Sequence, residues 1–304
     1  MSATKIHADQ IDIDEFLVRR LLAEQFPSWA DLPVTPVPSS GTENAIYRLG
    51  DAMAVRLPYR NIRDDQIEKL DHWLPRLAPH LPLSIPEPLA RGAPSREYPA
   101  AWSIVRWLDG EEARLERLAD PIEAAWTLAA FVRALIAIDT TGGPAPGTHN
   151  FWRGVPLAAR DEMTRRSVRE SVGLVDTHAV MRAWEHDLAA PVWDGPPTWL
   201  HGDLLPDNLL LTDGRLGAVI DWGGLAVGDP ATELLPAWSL FRGASRDAYR
   251  EALGFDDATW ARGRGLALST SIVALPYYND TLPVRAKHAK AVIREVLAAQ
   301  EQES

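Results

Sequence analysis

The segment from Trp199 to Gly223 constrains this chain more than any other. An apolar approach, Trp199-Leu200, ends in His201-Gly202-Asp203, and Asn208 follows five residues after the aspartate. Two short apolar runs come next, Leu209-Leu210-Leu211 and Gly217-Ala218-Val219-Ile220, separated by Thr212-Asp213-Gly214-Arg215. Asp-Gly between apolar runs signals a hairpin, because both residues tolerate the positive φ of a tight turn. The second run ends in Asp221-Trp222-Gly223. A hairpin here returns the second aspartate, again at the end of an apolar strand.

Phosphoryl transfer from a magnesium nucleotide needs few protein parts. One carboxylate orients the accepting hydroxyl, and oxygen ligands hold the metal on the phosphates. Asp203 fits the first role; Asn208 and Asp221 fit the second. A lone His-Gly-Asp is common, and an aspartate at a strand end is often only a turn residue. The composite is far rarer, and its spacing is close to the protein-kinase catalytic loop followed by a metal-binding Asp-x-Gly.

At these residues the chain resembles the aminoglycoside phosphotransferase family, small-molecule relatives of the protein kinases. His201-Gly202-Asp203 with Asn208 is similar to that family's catalytic loop, and Ile220-Asp221-Trp222-Gly223 to its metal-binding motif. Gly228-Asp229-Pro230-Ala231-Thr232-Glu233 resembles the segment that follows, with Glu233 where members usually carry aspartate. The resemblance implies a phosphotransferase that moves the γ-phosphate of ATP or GTP, with Mg²⁺, to a hydroxyl of a small molecule. Aminoglycosides, macrolides, choline-like metabolites, sugars and amino alcohols are the acceptor classes. A nucleotide-binding pseudokinase or regulatory module without turnover is the alternative.

The resemblance also implies nucleotide contacts. Ser40, in the turn Ser39–Asn44, sits where a kinase-like fold places its phosphate-covering loop, although Gly41 is that turn's only glycine. Arg56 stands where the family carries a strand lysine. It keeps the charge but presents a planar fork instead of a point charge; its alternative is an exposed strand arginine. Glu68 is the candidate partner for Arg56, with Glu43 as a second choice and a solvated helix residue as the plain reading. Val105 and Trp107 flank the lobe boundary, where backbone groups would hold the base; Trp107 is otherwise a core aromatic. Asp161, Glu162, Tyr278 and Asp280 are the substrate-site candidates, each of which reads singly as a solvated helix position. Carboxylates there would suit an amine-bearing, cationic acceptor through charge-assisted hydrogen bonds.

The remaining pattern supports two lobes. Asp14 can cap a first helix with Leu17, Leu21 and Leu22 on one face. Ala45–Leu49 and Met53–Leu57 form a hairpin through Gly50-Asp51; Ile62–Leu77 reads as a helix and Trp102–Trp107 as a strand. A proline-rich passage, Pro79 to Pro99, lies between these two. Beyond it the periodicity is helical at Ala124–Ile138, Pro156–Val168, Thr177–Leu188, Thr232–Phe241, Asp257–Leu275 and Leu282–Ala299. Strands early and helices late predict an α+β, protein-kinase-like two-lobed fold. Its small sheet-containing N-terminal lobe spans residues 1–105, and its larger, mainly helical C-terminal lobe spans 106–304.

Composition narrows the rest. A formal charge of −11 disfavours nucleic acid as a partner. No cysteine is present, so disulfides and thiolate metal sites are excluded. No stretch approaches the roughly 18 apolar residues of a membrane span, and nothing near the start reads as a signal peptide. A cytoplasmic enzyme without membrane attachment is the expectation; oligomeric state is left open. Only Lys5, Lys69, Lys287 and Lys290 carry ammonium groups, so Arg56 has no obvious lysine stand-in.

Overall fold

The structure, a computed structural model, describes residues 10–38, 43–60 and 64–303. The chain forms two compact units. One comprises Met1–Pro79, Ser84–Gly110 and Ala218–Ile220, and the other His80–Leu83, Glu111–Gly217 and Asp221–Ser304.

The first unit opens with helix α1 (Glu15–Gln25). Asp14 caps it, its Oδ1 accepting the Leu17 N–H at 2.8 Å. An isolated helix of this length is marginal in water, so its burial of Leu17, Val18, Leu21 and Leu22 holds it in place; each such side chain contributes ~1.5–3 kcal/mol. Strands β1 (Val34–Pro36), β2 (Asn44–Leu49) and β3 (Met53–Pro58), helix α2 (Asp64–Leu77), and strands β4 (Pro88–Gly92) and β5 (Trp102–Arg106) follow. The strands make one antiparallel sheet in the order β1-β2-β3-β5-β4. Val55 and Leu57 join Tyr47, Leu49, Trp102 and Ile104 in a single apolar cluster beneath α1. Side chains alternate along a strand, so Arg56, between Val55 and Leu57, belongs to the opposite face and is half-buried. Strand β4 falls inside the passage that reads from sequence as merely proline-rich. It lies at the sheet edge with Pro88 as its first residue, where a missing N–H is tolerated.

The second unit contains β6 (Glu111–Glu112), α3 (Pro121–Ile136), α4 (Asp161–Glu170), α5 (Thr177–Leu188) and β7 (Thr198–Leu200). It continues with β8 (Leu209–Thr212), the start of β9 (Arg215–Val219), β10 (Ala226–Gly228), α6 (Pro236–Ser239), α7 (Ala244–Leu253), α8 (Asp257–Tyr278) and α9 (Pro283–Glu303). Strands β6, β8 and β9 form one small sheet, and β7 pairs antiparallel with β10. Helix α8 packs against α4, α5 and α9, and α3 against α7. The expected helix over Thr232–Phe241 is instead a 3-10 turn, Pro230–Leu234, followed by the four-residue α6. Pro236 cannot donate to the preceding turn, so one continuous helix is broken there.

Two ion pairs are sunk into this unit. Arg262 on α8 holds Asp229 at 2.7 Å, and Arg264 holds Asp187 of α5 at 2.7 Å with both side chains essentially inaccessible. Among the described residues, no helix is long and apolar enough to cross a membrane.

Candidate active site

The strand β7 delivers His201-Gly202-Asp203 into a tight turn. The Leu205 N–H donates to the Asp203 carbonyl at 2.7 Å, and the Asn208 amide nitrogen donates to the same carbonyl at 2.9 Å. That nitrogen also reaches the Asp203 carboxylate Oδ2 at 3.3 Å. The Asp203 N–H donates to His201 Nδ1 at 3.1 Å, so His201 braces the turn. Its ring stands edge-on to Trp222 at 4.8 Å, and Trp222 is edge-on to Phe131 of α3 at 6.1 Å. The aromatic of the Asp-Trp-Gly motif is thus a buried anchor beneath the His-Gly-Asp turn. Asp221 itself has a left-handed backbone, φ 61°, a conformation that non-glycine residues adopt where surrounding structure enforces it.

Backbone meets backbone beside these side chains. Gly202 has φ +83°, and a Cβ there would lie 2.6 Å from the Gly224 carbonyl oxygen. A Cβ on Gly228 would lie 2.4 Å from the Gly154 carbonyl oxygen. The loop carrying Gly154 is therefore fastened to β10 as closely as the His-Gly-Asp turn is to the Asp-Trp-Gly turn.

Beneath the turn lies Glu233, fully buried. Its Oε1 accepts the Gly202 N–H at 3.0 Å, while among the described residues Oε2 has no hydrogen-bond partner. Burial pushes its pKa up to about 7 against the pull of the Gly202 and His201 N–H groups. Burial likewise raises Asp203 above the ordinary carboxylate range, opposed chiefly by the Arg153 guanidinium.

Arg153 is the residue that motif reading did not single out. Its Nη2 lies 2.9 Å from Asp203 Oδ1, although Oδ1 has no aligned hydrogen bond. Arg153 follows Phe151 and Trp152, two consecutive left-handed residues (φ 55° and 60°) with exposed rings. The loop is pinned from inside. Buried Asn150 accepts the Gly147 N–H at 3.0 Å and donates to the Arg153 carbonyl at 2.9 Å. Buried Arg160 donates to the Phe151 carbonyl and to Ser269. Burial and the nearby Arg153 charge lower the Arg160 pKa. Arg285 of α9 adds a second cation, 2.8 Å from Asp207. Sequence spacing offers no signal for Arg153, which lies fifty residues before its partner.

The expected nucleotide residues all belong to the first unit. Ser40 lies outside the described residues. Glu68 is exposed and forms an ion pair with Arg91 of β4 at 2.8 Å; Glu43 is 3.6 Å from Arg60. Val105 is buried in β5. The Trp107 N–H donates to the Ala52 carbonyl at 2.8 Å, its indole N–H donates to Asp109, and Arg48 lies over its ring at 4.6 Å. In the second unit, Asp161 accepts the Trp184 indole N–H at 2.7 Å and Arg165 at 2.8 Å, which ties α4 to α5. Glu162 is exposed. Tyr278 stands edge-on to Tyr277, and Asp280 accepts from Asn279 at 2.8 Å. The structure brings Asp203 and Asn208 together, with Asp221 near enough for its charge to act on Asp203; it ties Asp161 and Asp280 to local partners.

Mg²⁺ prefers hard oxygen ligands and is commonly held by one or two side chains together with phosphates and water. Among the described residues there is no cluster of three or more His, Asp or Glu that could cage a metal alone. With its nitrogen committed to Asp203, Asn208 has its carbonyl oxygen left for a cation. An amide oxygen and a carboxylate, the groups that Asn208 and Asp221 carry, are oxygen donors of the chemical type that suits Mg²⁺.

The phosphotransferase enzyme family matches residues 34–266, more than half of the chain. No curated relative matches the sequence. Among solved structures, the GDP complex of wild-type aminoglycoside 2'-phosphotransferase-IIIa is similar, with TM-score 0.72 and 18% identity over 95% of this chain and 100% of that one. The streptomycin–ATP–APH(2")-IIa ternary complex is also similar (TM-score 0.59, 16% identity, 93% and 97% coverage). So is the apoenzyme of macrolide 2'-phosphotransferase MphH from Brachybacterium faecium (TM-score 0.60, 21% identity, 91% and 97% coverage). These likenesses show the kinase-like fold.

Proposed function

Since the chain belongs to the phosphotransferase enzyme family, we propose that it transfers the γ-phosphate of ATP or GTP to a hydroxyl of a small molecule. The observation that carries this reading is the Asp203–Asn208 contact, with the two side chains joined at 3.3 Å inside one turn. Asp203 accepts the hydroxyl proton as the new P–O bond forms and the bond to the nucleotide's β-phosphate oxygen breaks. Asn208 and Asp221 would hold Mg²⁺, which supplies charge neutralisation to the phosphates when bound. In the first unit, Arg56 takes nucleotide phosphates, and the Val105–Trp107 segment takes the base through groups other than the Trp107 N–H, which already donates to the Ala52 carbonyl; Ser40 and Glu68 have supporting roles there.

Relatives of this fold have been solved with ATP, GDP and streptomycin, and one is a macrolide enzyme. We therefore assign a hydroxyl-bearing antibiotic or metabolite as acceptor, with Glu162, Asp161, Tyr278 and Asp280 as candidate contacts for its amines. A reaction that consumes nucleoside triphosphate belongs in the cytoplasm.

A nucleotide-consumption screen tests this. Aminoglycosides, macrolides and small hydroxylated metabolites are incubated with each nucleotide and Mg²⁺, and products are weighed by mass spectrometry. A gain of one phosphate on an acceptor is expected. Nucleotide-dependent stabilisation with no product across the panel would instead make the chain a binding module, and hits confined to neutral or anionic acceptors would remove the amine requirement.

A further inference from the structure

We infer that Arg153 is a positioning residue that fixes the Asp203 carboxylate by its buried oxygen, so that the other oxygen faces the acceptor hydroxyl. The inference rests on the phosphotransfer reading above and concerns a residue outside both motifs. The two carboxylate oxygens of Asp203 have different surroundings. Oδ1 is buried, and the Arg153 Nη2 lies 2.9 Å from it. Oδ2 lies 3.3 Å from the Asn208 amide nitrogen. With Oδ1 sealed, the exposed part of the side chain is at Oδ2. A carboxylate oxygen has two lone pairs, so Oδ2 can keep its Asn208 contact and still accept from a hydroxyl.

The terminal torsion of an aspartate is broad, yet a proton acceptor must meet its hydroxyl at hydrogen-bond distance and in the right direction. The torsion therefore has to be held. The Asn208 contact is long for a hydrogen bond and leaves the carboxylate room to turn. Arg153 holds it from the buried end. Its contact is close but unaligned, so charge does the holding and not a directed hydrogen bond. Burial works against a charged Asp203, as do the nearby Asp207 and Asp221, and Arg153 is the leading charge that opposes them. Without it, Oδ1 would be a buried carboxylate oxygen with no compensating group among the described residues, and the carboxylate would turn toward water.

The loop keeps Arg153 in register with both motifs. The Asn150 side-chain amide donates to the Arg153 carbonyl at 2.9 Å and reaches the Gly224 carbonyl, just after the Asp-Trp-Gly turn, at 3.5 Å. The Asp229 N–H donates to the Gly154 carbonyl at 3.0 Å. Buried Arg160 ties the Phe151 carbonyl to Ser269 of α8. Two successive left-handed non-glycine residues, Phe151 and Trp152, turn the chain immediately before Arg153, a backbone that persists only where surrounding contacts enforce it. The side chain that meets Oδ1 is thus carried by a segment fastened on both sides of the Asp203 turn.

The test uses water as acceptor, so no substrate need be known. Hydrolysis of ATP and of GTP with Mg²⁺ is measured for the full-length wild type, Arg153→Ala, Arg153→Lys, Asp203→Asn and the double variant Arg153→Ala/Asp203→Asn. Unfolding temperatures are recorded with and without nucleotide, and crystal structures are determined for the wild type and Arg153→Ala. Arg153→Ala should lose about 10–10²-fold in kcat, the effect of a misplaced reacting group, with the nucleotide KM within about threefold of wild type. Arg153→Lys returns a charge to Oδ1 through a single contact and should recover most of that loss. In the double variant the carboxylate is already gone, so losing Arg153 should add less than about threefold to the effect of Asp203→Asn. A residue that merely held the loop would slow both backgrounds alike. In the Arg153→Ala crystal the Asp203 carboxylate should be turned from its wild-type orientation. An unturned carboxylate, or losses that add in the double variant, would overturn the inference and leave the phosphotransfer reading standing. The crystal decides the matter if hydrolysis is too slow to follow. If Arg153→Ala does not fold, Arg153→Lys decides it, and a Lys variant that folds with wild-type stability but turns over more than about tenfold slower would overturn the inference. A wild type that neither hydrolyses nor is stabilised by either nucleotide would overturn the phosphotransfer reading, and this inference with it.

Discussion

Polar side chains are used differently in the two units. In the first, the ion pairs around the expected nucleotide residues are open to water: Glu68 with Arg91 is 63% and 30% exposed. In the second, the polar groups at and near the His-Gly-Asp turn are sealed. Arg262 and Asp229 are 5% and 10% exposed, and Glu233 is fully buried. Exposed pairs contribute about 0–1 kcal/mol, whereas breaking a buried pair costs about 3–5 kcal/mol because one charge is stranded. The comparison teaches where precision is needed. A base can be held by backbone groups of a strand, but a proton acceptor must be fixed relative to the hydroxyl it serves.

Five measurements would break or sharpen that contrast. The largest effect is expected at Asp203. Replacing it with asparagine keeps the shape and removes the proton acceptor, lowering turnover by about 10²–10⁴-fold while nucleotide still raises the unfolding temperature; turnover at the wild-type rate would remove Asp203 from the chemistry. Next is the sealed pair. Asp229→Ala strands Arg262 and also removes the acceptor for the Ala231 N–H, so denaturant unfolding should show a loss of about 3–5 kcal/mol.

The third effect depends on pH. Glu233 titrates near 7 in the folded protein and at about 4.5 unfolded. Between those values the folded state binds more protons than the unfolded state, so stability falls as pH rises through that window. Glu233→Gln mimics the protonated form and should flatten this slope, with a gain of up to about 3 kcal/mol above pH 7. An unchanged slope in denaturant melts from pH 4.5 to 8 would count against Glu233 as its source.

The smallest effects belong to the first unit. Arg56→Ala should lower kcat/KM about tenfold by withdrawing one fixed charge from the phosphates, and Arg56→Lys should recover much of it. Glu68→Ala should change unfolding free energy by less than about 1 kcal/mol. A Glu68→Ala loss as large as that of Asp229→Ala would erase the distinction between the units.

Whether a feature is legible in the amino-acid order depends on how far apart its parts lie along the chain. Asp203 and Asn208 sit five residues apart in one turn, so local spacing carries their geometry. Thr177–Leu188 is legible to the residue because Asp176 caps it and its apolar period is regular. Helix α7 escapes notice because its buried face is Ser245, Ala248, Tyr249 and Leu253, with too few large apolar groups to mark a period. Strand β4 is hidden by its own proline. Arg153 reaches Asp203 only through the folded loop, and no pattern in one sequence encodes that meeting. Glu233 stands out as a departure from the family's usual aspartate, but only burial reveals what its longer side chain does: it spans the distance to the Gly202 N–H.

The two glycine contacts, Gly202 against Gly224 and Gly228 against Gly154, have a consequence for anyone redesigning this scaffold. A Cβ would run into backbone at Gly202, Gly224 and Gly228, and Gly154 has a left-handed backbone, φ +89°, so a combinatorial library must hold all four constant. Phe151 and Trp152, whose rings are partly exposed, can be varied only among residues that accept their left-handed backbone. Diversity is thus confined to a short window beside Asp203, bounded by residues that selection for new acceptors cannot touch.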